Sequence, residues 1–316
     1  MKDSFGREIT YLRLSITDKC NLRCRYCMPE TGVEIRQHEE FLSEEEMLRA
    51  VNVCAGLGIT KVRITGGEPL VKKNIVSICK GIAGTPGIRE VCLTTNATLL
   101  GGLAYTLKDA GINRINISID TLDPAQYSHI TRNGNLEDAL NGLESALDVG
   151  FEKIKVNCVL IGGFNDNQIP EIAALTLKYP IDVRFIELMP MKNNEEFSGS
   201  SYIPSSAVTK MLPQLKMCGS DGVARVYSLP GAKGKVGLIS PLSNLFCSCC
   251  NRIRITADGK VKPCLHTGDE FSIKGLDDQG MRDMIEKAVL AKPERHAPLS
   301  AARRSLSGRN MNQIGG

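Results

Sequence analysis

The sequence predicts an α/β protein in which a parallel sheet or barrel of six βα units is followed by a C-terminal extension. Extended and helical segments alternate regularly through the first 190 residues, as in chains that build parallel sheets. Polar and apolar side chains alternate within these strands, so one face of the sheet is expected to be polar. Six units are two fewer than a closed eight-unit barrel contains.

The individual elements follow from these patterns in chain order. Strands are predicted near 11–17, 62–65, 91–96, 114–120, 154–160 and 182–189. Helices are predicted between them, near 44–57, 74–83, 102–110, 136–149 and 168–178. Ser43 and Glu46 mark the first helix start with a capping box. Beyond Pro190 short strands, turns and cysteines replace this rhythm, which predicts a barrel region of residues 1–190 and a C-terminal region of residues 191–316.

The strand alternation indicates where the polar face lies. If helices cover the outside of the sheet, then the polar residues of each strand must point into the interior. These residues include Arg13, Arg63, Thr94, Ser118 and Lys155. An interior of this kind is costly to bury empty, which favours a polar ligand there. An antiparallel sheet with one hydrated face is the alternative, but the intervening helices count against it.

The composition excludes several classes of protein. Hydrophobic residues make up 42% and charged residues 23% of the 316 residues, as in soluble globular proteins. No apolar stretch is long enough for a membrane span, and the N-terminus lacks the apolar core of a secretory signal. The net charge of +4 suits an anionic small molecule better than nucleic acid. We therefore expect a cytoplasmic protein without membrane or nucleic-acid partners.

Twelve cysteines are the unusual feature of the composition. In a reducing compartment, metal or redox chemistry explains them better than disulfides do. One set, Cys20, Cys24 and Cys27, follows the first predicted strand. Three thiolates on one loop can hold three irons of a cubane and leave the fourth iron open. A structural zinc site with a remote fourth ligand is the alternative.

The first cysteine set and a second motif carry a family resemblance. Tyr26 precedes the last cysteine of Cys-x3-Cys-x2-Cys, and residues 65–69 read Thr-Gly-Gly-Glu-Pro at the end of the second predicted strand. Together they resemble the signatures of radical S-adenosylmethionine enzymes. The resemblance implies the usual fold of that family, an incomplete (βα)6 barrel of the TIM type, which agrees with the six units counted above. The resemblance implies a [4Fe-4S] cluster on Cys20, Cys24 and Cys27. Its open iron would bind S-adenosylmethionine, which yields a 5′-deoxyadenosyl radical on one-electron reduction.

Further motifs narrow the resemblance to one subfamily. Cys247-x2-Cys250 and Cys264, with thirteen residues between Cys250 and Cys264, form a second set of three cysteines. Arg252-x-Arg254 follows the pair, and the chain reads NMNQIGG at its end. A zinc ribbon would need Cys-x2-Cys twice, and only one such pair is present. From Phe5 onwards the sequence resembles the radical S-adenosylmethionine enzymes that cyclise GTP in the first step of molybdenum cofactor biosynthesis.

This closer resemblance implies roles for individual residues. Tyr26, Gly67, Ser118 and Met189 would contact S-adenosylmethionine. Arg13, Arg63, Thr94 and Lys155 would contact GTP, and Arg252 and Arg254 would lie beside it as catalytic residues. Cys247, Cys250 and Cys264 would hold a second [4Fe-4S] cluster whose open iron meets the guanine.

The resemblance also implies the reaction and the partners. Hydrogen is taken from ribose C3′ of GTP, C3′ adds to guanine C8, and reduction gives (8S)-3′,8-cyclo-7,8-dihydroguanosine 5′-triphosphate. Cyclic pyranopterin monophosphate synthase would take the product, an external donor would supply electrons, and the chain would form a homodimer.

Two positions and two rival functions stay open at this stage. Cys249 lies beside Cys250, where neighbouring side chains diverge, and we predict that it binds no cluster. Ala97 stands where the family usually has Gly, a substitution that matters if the position needs a positive φ. The rival functions are another radical enzyme with an auxiliary cluster, such as a peptide modifier, and a non-enzymatic metal-binding module.

Overall fold

The computed structural model describes residues 1–33, 36–191, 196–197 and 199–315. Its first half alternates strands and helices. The strands are β1 (Tyr11–Ser15), β2 (Lys61–Thr65), β3 (Glu90–Thr95), β4 (Arg114–Ser118), β5 (Lys153–Leu160) and β6 (Asp182–Glu187). The helices are α1 (Glu44–Gly56), α2 (Ile75–Ala83), α3 (Ala104–Asp109), α4 (Pro124–Thr131), α5 (Leu136–Val149) and α6 (Ile169–Lys178).

The C-terminal part contributes shorter elements. Its strands are β7 (Lys216–Asp221), β8 (Ala224–Ser228), β9 (Val236–Ile239), β10 (Arg252–Ile255), β11 (Lys260–Lys262) and β12 (Phe271–Ser272). Its helices are α7 (Ser206–Met211), α8 (Asp278–Leu290) and α9 (Met311–Ile314). None of the helices in the described part of the chain has the length and apolarity to cross a membrane.

One sheet runs through the molecule. Strands β1 to β6 lie side by side in chain order and are all parallel. The C-terminal strands extend both sides of this set: β10 pairs with β1 and β9 with β6, both parallel, and β11, β12, β8 and β7 add antiparallel pairs beyond them. The predicted α/β class with a C-terminal extension is therefore confirmed.

The apolar strand residues pack against the helices and form the core. Leu12, Leu14, Ile64 and Ile117 are fully buried in one large cluster that includes the inner faces of the helices. Truncating one such Leu or Ile to Ala typically costs about 2–5 kcal/mol of stability. This packing leaves the other face of each strand free to line an interior space.

Sequence patterns gave no prediction of α4. This helix follows β4 directly, and its start carries a readable signal: Asp123 caps it by accepting a hydrogen bond from Gln126 N at 2.8 Å, and Pro124 occupies the first turn. The helix has little amphipathic character, so helical periodicity does not mark it in the sequence. All five predicted helices and all six predicted strands are present, with ends that differ by at most two residues.

Candidate functional site

The polar face of the strands lines a central cavity of about 500 Å³. A cavity of this size is typical of small-molecule sites. The parallel strands contribute a layer of polar residues to it: Arg13, Arg63, Thr94, Asn116, Lys155, Asn157 and Arg184. Of the five polar strand residues predicted to face the interior, Arg13, Arg63, Thr94 and Lys155 line this cavity, and Ser118 does not. Of the residues expected to contact GTP, all six line this cavity, since Arg252 and Arg254 on β10 join the four strand residues.

Arginines crowd one wall of the cavity around Tyr11. Arg63 donates from Nε to the Tyr11 hydroxyl at 2.5 Å and from Nη1 to Thr94 Oγ1 at 3.3 Å. Burial alone would raise the pKa of Tyr11, but the charges of Arg63, Arg13 and Arg252 lower that pKa to about 8. This wall therefore carries a strong positive potential, which suits an anionic ligand.

Several buried polar atoms in the cavity have no partner within the protein. Among the residues that the structure describes, they include Asn116 Oδ1, Asn157 Oδ1 and Arg252 Nε. A buried polar atom that makes no hydrogen bond costs about 1–3 kcal/mol. Two acceptors and one donor of this kind indicate a ligand that offers both donor and acceptor groups, as a nucleotide does.

The hairpin of β7 and β8 brings a carboxylate to the same cavity. Asp221 accepts hydrogen bonds from Lys155 and, at 2.6 Å, from Arg184 Nη2. Burial would raise the pKa of Asp221, but the hydrogen bond from Lys155 and the charge of Arg184 hold that pKa well below its usual range. Asp221 is therefore ionised and neutralises part of the basic lining.

The first cysteine set lies on the loop after β1. Burial raises the pKa of Cys20 to about 11 and that of Cys27 to about 12, and it raises the pKa of Cys24 well above its usual value. The thiols also affect one another. Negative charge on Cys27 or Cys20 raises the pKa of Cys24 further, and negative charge on Cys20 raises that of Cys27. A group of buried thiols becomes thiolate when a metal supplies the missing positive charge. The donor set therefore fits an iron–sulfur cluster.

Gly67 fastens the loop after β2 to the first cysteine loop. Gly67 N donates to Thr17 O and Glu68 N donates to Lys19 O, both at 2.8 Å. A Cβ atom on Gly67 would lie 2.4 Å from Lys19 O, so a larger residue would push the two loops apart. The glycine thus sets the distance between the loop and the backbone that leads into Cys20.

The other residues expected to contact S-adenosylmethionine have different surroundings. Tyr26 donates to Asp120 Oδ2 at 2.7 Å, and Val159 N donates to Asp120 Oδ1 at 2.8 Å. Ser118 ends β4 and, like Tyr26 and Gly67, is absent from the lining of the central cavity, whereas Met189 belongs to that lining. The structure therefore separates this group from the cavity, with Met189 in common.

The second cysteine set faces the central cavity directly. Cys247, Cys250 and Cys264 all line it, beside Arg252 and Arg254. Burial alone would raise the pKa of both Cys247 and Cys250. The hydrogen bond from His296 nevertheless lowers the pKa of Cys247. The charges of Lys292 and Arg252 lower the pKa of Cys250. Three thiols in a cationic setting suit a cluster of net negative charge.

Cys249 differs from its neighbours. It lies in the short 3-10 turn Cys247–Cys249, is exposed, and places its Sγ 3.3 Å from Phe246 O. The lining of the central cavity contains Cys247 and Cys250 without it. This placement supports the prediction that Cys249 binds no cluster.

The C-terminal tail reaches the central cavity and the loop that carries the first cysteine set. Arg309 anchors it through ion pairs with Asp258 at 2.9 Å and Glu270 at 2.6 Å. Helix α9 follows, where Asn312 donates from Nδ2 to Asp18 O at 2.9 Å and Met311 lines the cavity. The tail is thereby held against the loop that carries Cys20.

The last described residue lies within the arginine wall. Arg254 donates from Nη1 to Gly315 O at 2.5 Å and Arg13 donates from Nε to the same oxygen at 3.2 Å. Gly315 has a φ of +70°, and a Cβ there would lie 2.2 Å from Thr65 Oγ1. Only glycine fits this position without displacing Thr65. Gly316, the other member of the terminal pair, lies outside the described residues.

Ala97 keeps the backbone conformation that a glycine would adopt. Its φ is +65°, although it carries a methyl group and is fully buried. A residue with a Cβ atom is strained at this positive φ, which typically costs about 1–2 kcal/mol.

Sequence reasoning missed several lining residues. The strand alternation places Asn116 and Asn157 on the predicted polar face, but it assigned them no role in binding, and the same alternation could have selected Arg184 on β6. Asp221, His266, Lys292 and His296 also line the cavity, but they lie on a hairpin and in loops where no periodic pattern marks them.

Comparisons with known families agree with this arrangement. The model of the radical SAM superfamily matches residues 14–176, and the Molybdenum Cofactor Synthesis C model matches residues 181–298. Among solved structures, Streptococcus suis SuiB bound to S-adenosylmethionine has a TM-score of 0.63 at 15% identity, covering 82% of this chain and 61% of that chain. The structure of anSMEcpe with bound AdoMet has a TM-score of 0.58 at 13% identity, covering 92% and 82%. These likenesses establish the fold.

Curated relatives match over the full length. The GTP 3′,8-cyclase of Alkaliphilus metalliredigens is 45% identical over 321 residues, and that of Moorella thermoacetica is 43% identical over 327 residues; both alignments cover 100% of each chain. With one family model across more than half of its residues and such relatives along its entire length, the chain belongs to the radical S-adenosylmethionine superfamily and, within it, to the GTP 3′,8-cyclase family.

Proposed function

We propose that this chain converts GTP to (8S)-3′,8-cyclo-7,8-dihydroguanosine 5′-triphosphate, the first step of molybdenum cofactor biosynthesis. One observation carries the proposal: a single cavity is lined by the basic and polar face of the strands on one side and by Cys247, Cys250 and Cys264 on the other. A nucleoside triphosphate needs cations for its phosphates and a second group to hold its base. The relatives named GTP 3′,8-cyclase at up to 45% identity support the same substrate.

The first cysteine set and the neighbouring loops form the S-adenosylmethionine site. Cys20, Cys24 and Cys27 hold a [4Fe-4S] cluster, and Tyr26, Gly67, Ser118 and Met189 contact S-adenosylmethionine. When bound, this pair of groups supplies the 5′-deoxyadenosyl radical that takes hydrogen from ribose C3′. The protein fixes the loops: Gly67 seats one loop on the other, and Asp120 holds the Tyr26 hydroxyl. Since Met189 also lines the central cavity, it marks the junction with the GTP site.

The basic residues of the central cavity bind the nucleotide. Arg13, Arg63, Thr94 and Lys155 contact GTP, with arginines offering two parallel hydrogen bonds to a phosphate and lysine a point charge. Arg252 and Arg254 lie beside the substrate as catalytic residues and carry the positive charge next to the second cysteine set. Burial of this wall excludes water, which strengthens each of these interactions and limits side reactions of a radical.

The second cysteine set holds another [4Fe-4S] cluster in this proposal. Cys247, Cys250 and Cys264 supply three thiolates and leave one iron for the guanine. Their place in the cavity wall supports this assignment, because a base bound through that iron would leave its triphosphate to the basic strand residues. The purine would then be held at one end and the phosphates at the other, which fixes the orientation of the ribose.

The remaining expectations are part of the same proposal. The chain divides into a barrel region of residues 1–190 and a C-terminal region of residues 191–316 whose strands extend both sides of the sheet. It acts in the cytoplasm as a homodimer, receives electrons from an external donor, and passes its product to cyclic pyranopterin monophosphate synthase.

A product assay tests the proposal. The reconstituted protein is incubated without oxygen with GTP, S-adenosylmethionine and dithionite, and the products are separated and weighed by mass spectrometry. We expect 5′-deoxyadenosine together with a cyclised guanosine triphosphate. This product is an isomer of GTP, so it has the mass of GTP and is recognised by its different retention on the column. Cleavage of S-adenosylmethionine with GTP recovered unchanged would show a radical enzyme that acts on another substrate. A colourless, zinc-containing protein would exclude both.

A further inference from the structure

Lys292 is a buried lysine just beyond helix α8. It is 4% exposed, and its Nζ donates hydrogen bonds to Arg252 O at 2.9 Å and to Pro263 O at 2.7 Å. An ammonium group has three N–H donors, so two of the three are used by backbone carbonyls. None of the sequence patterns marks this residue.

The two carbonyl groups belong to the segments that deliver the second cysteine set. Arg252 lies two residues after Cys250, and Pro263 immediately precedes Cys264. These segments are separated by the hairpin of β10 and β11. One ammonium therefore joins both arms of the cysteine set close to the points where their thiols leave the backbone.

The Lys292 ammonium also lies near the thiols themselves. Lys292 and Cys250 both line the central cavity, with Cys264 and Arg252. The same group thus joins the two segments and places a positive charge in the cavity wall that carries the second cysteine set.

The charge of Lys292 has no carboxylate to balance it. Within the described ranges, no Asp or Glu forms an ion pair with this residue, and the charged side chains that flank Cys250 with it are cationic. A charge this deeply buried is unfavourable unless an opposite charge compensates it.

Lys262, a second buried lysine of the C-terminal region, has a carboxylate that compensates its charge. It is fully buried, and its Nζ lies 3.2 Å from Glu270 Oε1 and 2.9 Å from Thr267 O. Lys292 lacks such a carboxylate, so the natural counter-charge is the thiolate of Cys250 and the anionic cluster to which that thiolate would belong.

We propose that Lys292 is a positioning residue of the second cysteine set: it holds the Arg252 and Pro263 carbonyls together so that Cys250 and Cys264 face one centre, and its ammonium sets the reduction potential of the cluster bound there. The inference rests on the proposed second cluster and adds a residue to it. Hydrogen bonds and positive charge near cluster sulfur atoms raise the reduction potential, because they favour the more negative, reduced state.

Three variants test this role. Lys292→Met removes the ammonium and keeps an unbranched side chain of similar length, Lys292→Arg keeps the charge, and Lys274→Met removes the same charge from a partly exposed site that bonds Phe41 O and Glu46. Each protein is reconstituted without oxygen. Iron and sulfide per chain are counted, and the potentials of the two clusters are measured by redox titration with electron paramagnetic resonance.

For Lys292→Met we expect the first cluster and uncoupled cleavage of S-adenosylmethionine to be retained. The second cluster is then either lost, which halves the iron content, or kept with a more negative potential. Lys292→Arg should keep the second cluster with a potential close to that of the unmodified protein, and Lys274→Met should match that protein in all readouts.

Other outcomes would overturn the inference. Full iron content with an unchanged potential in Lys292→Met would remove both parts of the role. Equal loss of both clusters would show that Lys292 supports the whole fold and has no local task. If the unmodified protein itself holds one cluster, then the proposed function fails first, and the inference about Lys292 fails with it.

Discussion

Asp221 accepts a hydrogen bond from Arg184 at 2.6 Å, and the same carboxylate accepts one from Lys155. Asp221 therefore pairs with two cationic side chains, Lys155 and Arg184, that a polyphosphate would otherwise bind. We expect Asp221→Asn to bind tripolyphosphate and GTP about three- to tenfold more tightly. In the unmodified protein phosphate must first break the ion pairs of Asp221, and each partly exposed pair contributes up to about 1 kcal/mol. Isothermal titration calorimetry measures the change.

The control for this variant is Glu286→Gln, which removes one negative charge from the Arg282 pair on α8, where neither residue lines the cavity. It should leave both affinities unchanged, and guanosine, which lacks phosphate, should bind both variants like the unmodified protein. Weaker binding of tripolyphosphate by Asp221→Asn would show that the carboxylate orients Lys155 and Arg184 and does not compete with phosphate.

The two cysteine sets should fail in different ways. Cys24→Ala should abolish cleavage of S-adenosylmethionine, because two thiolates cannot hold the open-iron cubane. Cys264→Ala should retain the first cluster and some uncoupled cleavage but give no cyclised GTP. Iron content and 5′-deoxyadenosine formation are the measurements. Equal loss of cleavage in both variants would contradict two separate sites.

Cys249 and Cys250 are neighbours with different expected roles. Cys249→Ser should keep full iron content and GTP cyclisation, since this thiol is exposed and lies outside the cavity lining. Cys250→Ser should lose the second cluster. Iron analysis and a product assay on both variants decide between the two thiols, and a loss of iron confined to Cys249→Ser would reverse the assignment.

The strain at Ala97 predicts an asymmetric response to substitution. Ala97→Gly should change the free energy of unfolding by less than about 1 kcal/mol, because relief of the positive φ offsets the loss of a buried methyl group. Ala97→Val should cost about 3 kcal/mol or more, since a β-branched residue fits this φ poorly and Gly142 packs against the site. Urea unfolding of the cluster-free protein measures both, and a well-tolerated valine would refute the strained conformation.

Glu68 predicts a pH dependence of stability. Burial raises the pKa of Glu68 from 4.5 to about 7, even though Asn96 N, Thr95 Oγ1 and Leu70 N donate to its carboxylate. A carboxyl group whose pKa is raised on folding contributes stability below its unfolded value, and that contribution is lost as the pH rises through 7. We expect a loss of about 3 kcal/mol between pH 4.5 and 7.5.

The matched variant is Glu68→Gln, which cannot titrate. The free energy of unfolding of this variant should be lower, because its amide NH2 group would face a hydrogen-bond donor that the carboxylate accepts from. That free energy should also change less between pH 4.5 and 7.5, because the amide does not titrate. Thermal unfolding of the cluster-free protein at several pH values gives the comparison. Parallel pH profiles for the two proteins would mean that Glu68 does not titrate there.

Much of the site could be predicted because it obeys the periodicity of strands. Arg13, Arg63, Thr94 and Lys155 alternate with buried aliphatic residues on parallel strands, so their common face follows from the sequence once helices cover the other side. The spacing of Cys20, Cys24 and Cys27 is local because they lie on one short loop, and the same holds for Cys247 and Cys250. These features need no knowledge of which distant segments meet.

The rest depends on contacts between distant segments. Asp221 meets Lys155 across 66 residues, and Lys292 reaches Arg252 across 40, through a hairpin and a loop with no periodic signal. Helix α4 was missed for a different reason: its amphipathic pattern is weak, although its capping residues were visible. Long-range polar contacts and short elements are thus where a single sequence is least informative.

The position of β1 in the sheet has a consequence for synthesis of the chain. This strand pairs with β2 on one side and with β10 on the other, so one of its edges waits for residues made about 240 positions later. At about 5–20 residues per second, a ribosome leaves that edge open for on the order of tens of seconds. An open edge beside a buried apolar face invites pairing with other chains. We therefore expect slow translation or truncation before residue 252 to yield aggregates that contain β1 and β2.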